Sequence, residues 1–210
     1  MASLLSAYSG ISALMVPDLP GCSETTMQFY LHRAGRQFCE DSEAWTREFT
    51  TDLVADTATY DISAADRLVH RILRVRFLDQ DNGDVAKDYN DGREIHVDRY
   101  ELTRDPDTIQ FDTEGTPSSD EDGYLLVVEV ADVPYPNVDI LSDFFITRWS
   151  SAIRYRATAD LMMQPKRPYS DPQRAANFEG KYQEAVGRAR FERTHESKFQ
   201  SRRMYAPSFT

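Results

Sequence analysis

The spacing of apolar residues changes twice along this chain, and those two changes limit how it can fold. Between residues 19 and 45, Met27, Tyr30, Leu31, Ala34 and Phe38 recur every three or four positions, which predicts a helix with one apolar face. Pro20 and Gly21 stop whatever precedes it, and Ser23 offers an N-cap. The pattern then alternates. In VHRILRVRF (69–77), Leu73, Val75 and Phe77 share one face and Arg74 and Arg76 the other, as in an antiparallel strand with one wet side. FTTDLV (49–54) and TATYDI (57–62) read as a short strand pair, and YLLVVEV (124–130) is the most strand-like run. DNGD (81–84), NDG (90–92) and RDPD (104–107) are turns bounding EIHVDRYELT and TIQFD, so 49–133 reads as a meander of six or seven strands.

Helical spacing returns after Pro134 and Pro136. Phe145, Trp149, Ile153, Ala157 and Leu161 form one stripe. Beyond the proline-rich QPKRPYSDPQ, Ser170 and Gln173 suggest a capping box, with Pro172 in the first turn of a helix burying Phe178, Tyr182, Ala185 and Ala189. The first helix has only these later helices against which to bury its stripe. The expected class is therefore α+β: a helical bundle from the N- and C-terminal segments with an inserted antiparallel β-sheet or sandwich. The expected boundaries are 18–48 with 139–200 for the bundle, 49–138 for the insert, and 201–210 for an extended C-terminal arm.

Charge is unevenly spread. Residues 1–140 hold 28 acidic against 11 basic side chains and residues 141–210 hold 7 against 13, so a net charge of -11 conceals halves of -17 and +6. An acidic surface repels phosphate, which argues against a general DNA-coating protein. LLSAYSGISALMV (4–16) is apolar for only thirteen residues and no basic residue precedes Arg33, so neither a membrane span nor a secretory signal is expected, and a short docking helix is. Cys22 and Cys39 invite a redox or metal reading. Along a helix, however, seventeen residues separate their Cα atoms by about 25 Å, and a disulfide needs them within about 7 Å. Cys39 therefore reads as a small buried hydrophobe and Cys22 as a helix-entry residue.

Signatures of catalysis are missing. His32, His70, His96 and His195 are dispersed, and the chain holds no nucleophile elbow, phosphate loop, dinucleotide fingerprint or paired-histidine zinc motif. DQDNGD (79–84) has the acidic spacing of a calcium loop but carries Asp84 where that loop needs glycine, and no Glu closes it. Asp120, Glu121 and Asp122 could pair as acid and base, but read as a solvated tip. The expectation is a protein that is not an enzyme and uses no cofactor or metal. Arg188, Arg190, Arg193 and Lys198 give the last helix a basic face, with Glu192 and Glu196 as i,i+4 partners. That face suggests an alternative function as a nucleic-acid-binding module. The closing SRRMYAPSFT has no helical spacing and reads either as a disordered end or as an arm in which Arg202, Arg203, Met204, Tyr205 and Phe209 dock on a neighbour.

Several of these segments have a familiar arrangement. LPGC (Leu19, Pro20, Gly21, Cys22), then a helix ending in FCEDSEAW (Phe38, Cys39, Ser42, Trp45), then a β segment opening near YDI, come first. LSDFFITRWSSAIRYRATADLM (Trp149, Ala152, Ile153, Ala157, Leu161) and KRPYSDPQRAANFEGKYQEAVGRAR (Lys166, Pro168, Tyr169, Ser170, Ala175, Phe178, Tyr182, Ala185, Ala189) follow. Together they resemble the head-to-tail adaptor proteins of tailed bacteriophages, also called connector, head-completion or tail tubular proteins. Where that family often has a small residue, this chain has Arg156. The resemblance implies a structural virion protein, assembled in the host cytoplasm and located in the virion neck. It implies a homo-oligomeric ring, commonly of twelve copies, between the portal protein and a tail or nozzle protein, with double-stranded DNA passing through its lumen and no membrane partner. It also implies that Phe38, Cys39 and Trp45 form a structural corner where the first helix hands over to the sheet.

Overall fold

A computed structural model describes residues 4–65, 67–78, 85–88, 100–103, 107–112, 116–135 and 143–200. The fold is α+β, with four helices and two small antiparallel sheets. By contacts the described residues divide into two units: 4–44 with 143–200, which is helical, and 45–135, which holds the strands. The β unit thus lies between the second and third helices in sequence.

The helical unit contains α1 (Leu4–Met15), α2 (Glu24–Ser42), α3 (Asp143–Met162) and α4 (Pro172–Gln200). The apolar run at 4–16, expected as a short docking helix, packs within this unit as α1: Tyr8, Ile11 and Met15 are buried, and the Tyr8 ring stacks on His32 of α2 at 4.2 Å. Ser23 caps α2 by accepting from the Thr26 backbone N–H at 3.2 Å, as the sequence predicts. At its other end α2 closes on Glu43, a non-glycine residue in the left-handed region at φ 52°, whose N–H donates to the Cys39 carbonyl. The whole predicted α3 stripe is buried, as are Ile146, Ala152 and Met162, and the helix kinks at Trp149.

Two expectations for α4 are corrected. Asp171 starts the helix, not a Ser170–Gln173 box: its side chain accepts from the Arg174 N–H at 3.0 Å and its carbonyl from Ala175 at 2.9 Å, with Pro172 in the first turn as predicted. Its buried stripe is Ala175, Tyr182, Val186 and Ala189, while Phe178 and Ala185 are only half-buried. Both stripes satisfy helical spacing, and only the position of α3 selects between them.

In the β unit, β1 (Thr46–Asp52), β7 (Leu125–Pro134), β3 (Arg67–Leu78) and β4 (Val85–Asp88) form one sheet in that order. A second sheet has the order β2 (Thr59–Asp61), β6 (Thr108–Phe111), β5 (Tyr100–Thr103). This is not the expected meander. The first strand pairs with the last, and FTTDLV and TATYDI enter different sheets instead of pairing with each other. Alternation identifies a strand's two faces and says nothing of its neighbour. The DQDNGD, NDG and EIHV stretches lie outside the described residues.

Side chains from both sheets share one core, including Tyr60, Val69, Val75, Phe77, Ile109, Phe111, Leu126 and Val128. β3 departs from simple alternation because its register against β7 shifts between Val69 and Arg71 and again between Ile72 and Arg74. Each shift adds a residue on one strand. Ile72 therefore joins Val75 and Phe77 in the core, and Leu73, predicted to share their face, is only half-buried. β7 is apolar on both faces, with Val127, Ala131 and Val133 buried beside the core-facing Leu126, Val128 and Val130.

The helical unit is centred on Phe38, whose ring lies 5.2 Å from Trp149, 6.0 Å from Phe145 and 6.3 Å from Tyr182. Phe38→Ala should cost about 3–5 kcal/mol, measured by urea unfolding of the full chain; a loss below about 1 kcal/mol would mean that this cluster does not hold the unit together.

Candidate functional site

Two places in the helical unit gather the sequence-predicted residues. The first is a corner built from both interhelical loops. Leu19-Pro20-Gly21-Cys22 is a type II turn: the Cys22 N–H donates to the Leu19 carbonyl at 3.1 Å, proline takes the second position, and Gly21 supplies the required positive φ at 79°. Leu19 is buried beneath it. The loop joining α3 to α4 arrives at the same corner. Gln164 donates to the Tyr30 hydroxyl at 2.7 Å and accepts from the Tyr169 hydroxyl at 3.3 Å, and Arg174 pairs with Asp18 at 2.6 Å. Burial, with the Cys22 thiol alongside, pushes the Tyr169 phenol up. Residues 156 and 134 positions apart in sequence are thus fastened together by polar contacts.

The second place is the end of α2, where α4 lies alongside. The Tyr182 hydroxyl, carried by a buried ring, donates to Asp41 Oδ2 at 2.5 Å. Arg190 Nε donates to the Asp41 carbonyl at 2.7 Å, and Arg193 pairs with the Glu43 carboxylate. These cations meet the negative end of the α2 dipole. Arg188 binds Glu192 at 3.0 Å, and the other oxygen of Glu192 takes Arg148 of α3 at 2.8 Å. The Arg148 hydrogen bond is the main reason that the Glu192 carboxyl lies below its ordinary range. The three arginines of the predicted basic face whose side chains are described are therefore engaged within the unit. Lys198 lies on α4, with its side chain outside the described residues.

Arg156 also finds partners, bonding Glu179 at 2.7 Å and Asp160 at 3.4 Å with its guanidinium 5.5 Å from the Tyr182 ring centroid. Burial holds the Asp160 carboxyl above its ordinary range despite Arg156 and Arg33.

Of the proposed corner residues, Phe38 and Cys39 lie in the core of the helical unit. Trp45 opens the β unit, half-buried, its carbonyl accepting from Asp132 N–H at 2.8 Å and its ring 4.9 Å from the Arg67 guanidinium. Asp132 is buried and receives Arg47 Nε at 2.8 Å, tying β1 to β7. Cys22 and Cys39 are free thiols. His32 lies against Tyr8, His195 stacks on Phe191 at 3.8 Å, and His70 is half-buried on β3; His96 and Arg202, Arg203, Met204, Tyr205 and Phe209 of the arm lie outside the described residues.

The acidic tip, expected to be solvated, is so only in part. Glu121 is buried, accepting from both Ser118 N–H and Oγ in a capping box around a short 3-10 turn, while Asp122 is exposed; the Asp120 side chain lies outside the described residues. Among the described residues no three His, Cys, Asp or Glu side chains gather into a metal site, and no helix is long and apolar enough to cross a membrane. No protein-family model matches the chain, and neither does any curated protein.

Sequence reading missed Asp41, the Tyr182 hydroxyl, Asp18 and Gln164, because each is defined by a partner more than 130 residues away. Burial and the Asp41 hydrogen bond push the Tyr182 phenol above its ordinary 10.0. A raised value in the folded state gives stability that is complete below about pH 10 and lost as pH rises further. Tyr182→Phe should cost about 1 kcal/mol at neutral pH and flatten the alkaline loss of stability in denaturant titrations at stepped pH. Identical alkaline profiles for the two proteins would contradict the assignment.

Proposed function

We propose that this chain is a non-enzymatic head-to-tail adaptor of a tailed bacteriophage, forming a ring, commonly of twelve copies, between portal and tail. The observation that carries the reading is the corner at Tyr169. Residues flanking the LPGC turn and the KRPYS loop, two of the segments in which the resemblance lies, are joined there by Asp18–Arg174 and by Tyr30–Gln164–Tyr169. A helical unit assembled from both ends of the chain, with strands inserted between α2 and α3, is also the arrangement that the resemblance implies.

Charge is consistent with this role. The net -11 per copy repels a duplex, so that DNA can pass through a ring without adhering. A nucleic-acid-binding module using the α4 face is less well supported. Arg188, Arg190 and Arg193 each already hold an internal acceptor, and cations so committed release few counterions from phosphate.

Virion necks purified by mass should contain this chain as a ring of fixed copy number, and the isolated protein should show little salt-dependent duplex binding. A chain missing from particles, or one gripping duplex DNA at low salt, would sink the reading. Removing residues 201–210 should leave the unfolding midpoint unchanged and abolish attachment to portal; tail joining at the full-length level by the truncated protein would count against the docking arm.

A further inference from the structure

Two surface patches, one on each unit, combine accessible apolar side chains with charge of opposite sign. On the helical unit, Tyr155 of α3 and Phe178 of α4 lie half-buried with ring centroids 6.0 Å apart. Lys181 Nζ sits 5.5 Å and 5.6 Å from those two centroids, and the Arg154 guanidinium lies 5.3 Å from Tyr155. Among the described residues neither cation has a carboxylate partner, whereas Arg36, Arg148, Arg156, Arg174, Arg188 and Arg193 all do. This is an aromatic floor flanked by two positive charges, a composition enriched where interfaces draw their energy.

The second patch is one tip of the β unit. Val54 is 53% exposed and is flanked by exposed Asp52 and Asp56. Asp122 is drawn alongside by the Ala55 N–H at 3.0 Å. The loop is braced: Leu53 donates to the Tyr124 carbonyl at 2.7 Å, Asp56 to the Pro117 carbonyl at 3.0 Å, and the Tyr60 hydroxyl both accepts from Val54 N–H and donates to its carbonyl. A braced loop loses little conformational freedom on binding. The tip presents one apolar side chain ringed by carboxylates, the chemical complement of the aromatic floor with its two cations.

We infer that the Val54 tip of one copy docks on the Tyr155–Phe178 face of another. The occupant is a second copy of this chain because the charges segregate by unit. Residues 45–142 hold 23 acidic against 9 basic side chains, a net -14, while 1–44 with 143–210 hold 12 against 15, a net +3. Contact between like units is disfavoured and contact between unlike units favoured. Two different faces make a heterologous contact, which propagates from copy to copy and permits a ring. The inference rests on the proposed ring for closure.

The test compares full-length protein with V54K/D56K and with R154E/K181E by sedimentation velocity at low and high salt. Wild type should associate, more weakly in high salt; each variant should weaken association by at least roughly tenfold while keeping the wild-type unfolding midpoint. Mixing the two variants should restore association, since one carries the intact face and the other the intact tip, and their reversed charges are complementary. Wild-type protein that stays monomeric, variants that associate as wild type does, or a mixture that stays monomeric would overturn the inference. So would duplex DNA binding by wild type that R154E/K181E abolishes, which would give the face to phosphate. Particles that retain a ring of normal copy number with both variants would overturn this contact and leave the adaptor reading standing.

Discussion

Everything in the helical unit depends on burying Phe38 between residues that follow the β unit in sequence. Phe145 and Trp149 come from α3 and Tyr182 from α4, so α2 is held against helices more than 100 residues downstream. Bringing such distant segments together has an entropic cost that grows only slowly with the length between them, which is why a strand unit can be inserted there. Burying large aromatic surfaces is the interaction of sufficient size to offset that cost. The surrounding ion pairs are half-exposed and contribute less each. Their role is alignment: Arg193 on Glu43 and Arg190 on the Asp41 carbonyl set where α4 lies along α2.

Glu43 illustrates how local and long-range demands interact. A left-handed residue closes α2, and glycine would adopt that conformation with less strain. Glycine has no carboxylate for Arg193. The arrangement accepts backbone strain at a helix end and gains a connection to α4. Arg156 likewise brings a charge into the contact between α3 and α4, and that charge is accommodated because α4 presents Glu179 opposite it.

The β unit has a different logic. β7 lies between β1 and β3 and is apolar on both faces, so it organises its sheet, and the buried Asp132 accepts Arg47 from the neighbouring strand. The bulges in β3 move Ile72 into the core at the expense of Leu73. Acidic side chains concentrate in this unit and leave the helical unit slightly basic, a segregation that the division of the sequence into halves only partly captured. With the α4 arginines engaged internally, the helical unit has fewer cations to offer a polyanion than its composition suggests.

Local patterns were enough for the sequence to determine where most helices and strands fall, the cap at Ser23, the break at Pro20-Gly21 before α2, the buried stripe of α3 and the α+β class. Each depends on residues within one turn of helix or one strand, where periodicity and backbone preference act directly. Tertiary structure alone decided that β1 pairs with β7, that α4 turns Val186 inward instead of Phe178, that Asp171 caps α4, and that Asp41, Tyr182, Asp18 and Gln164 have partners. An amphipathic pattern reports that a face is apolar, but which surface meets it is settled only when segments remote in sequence compete to bury the same area.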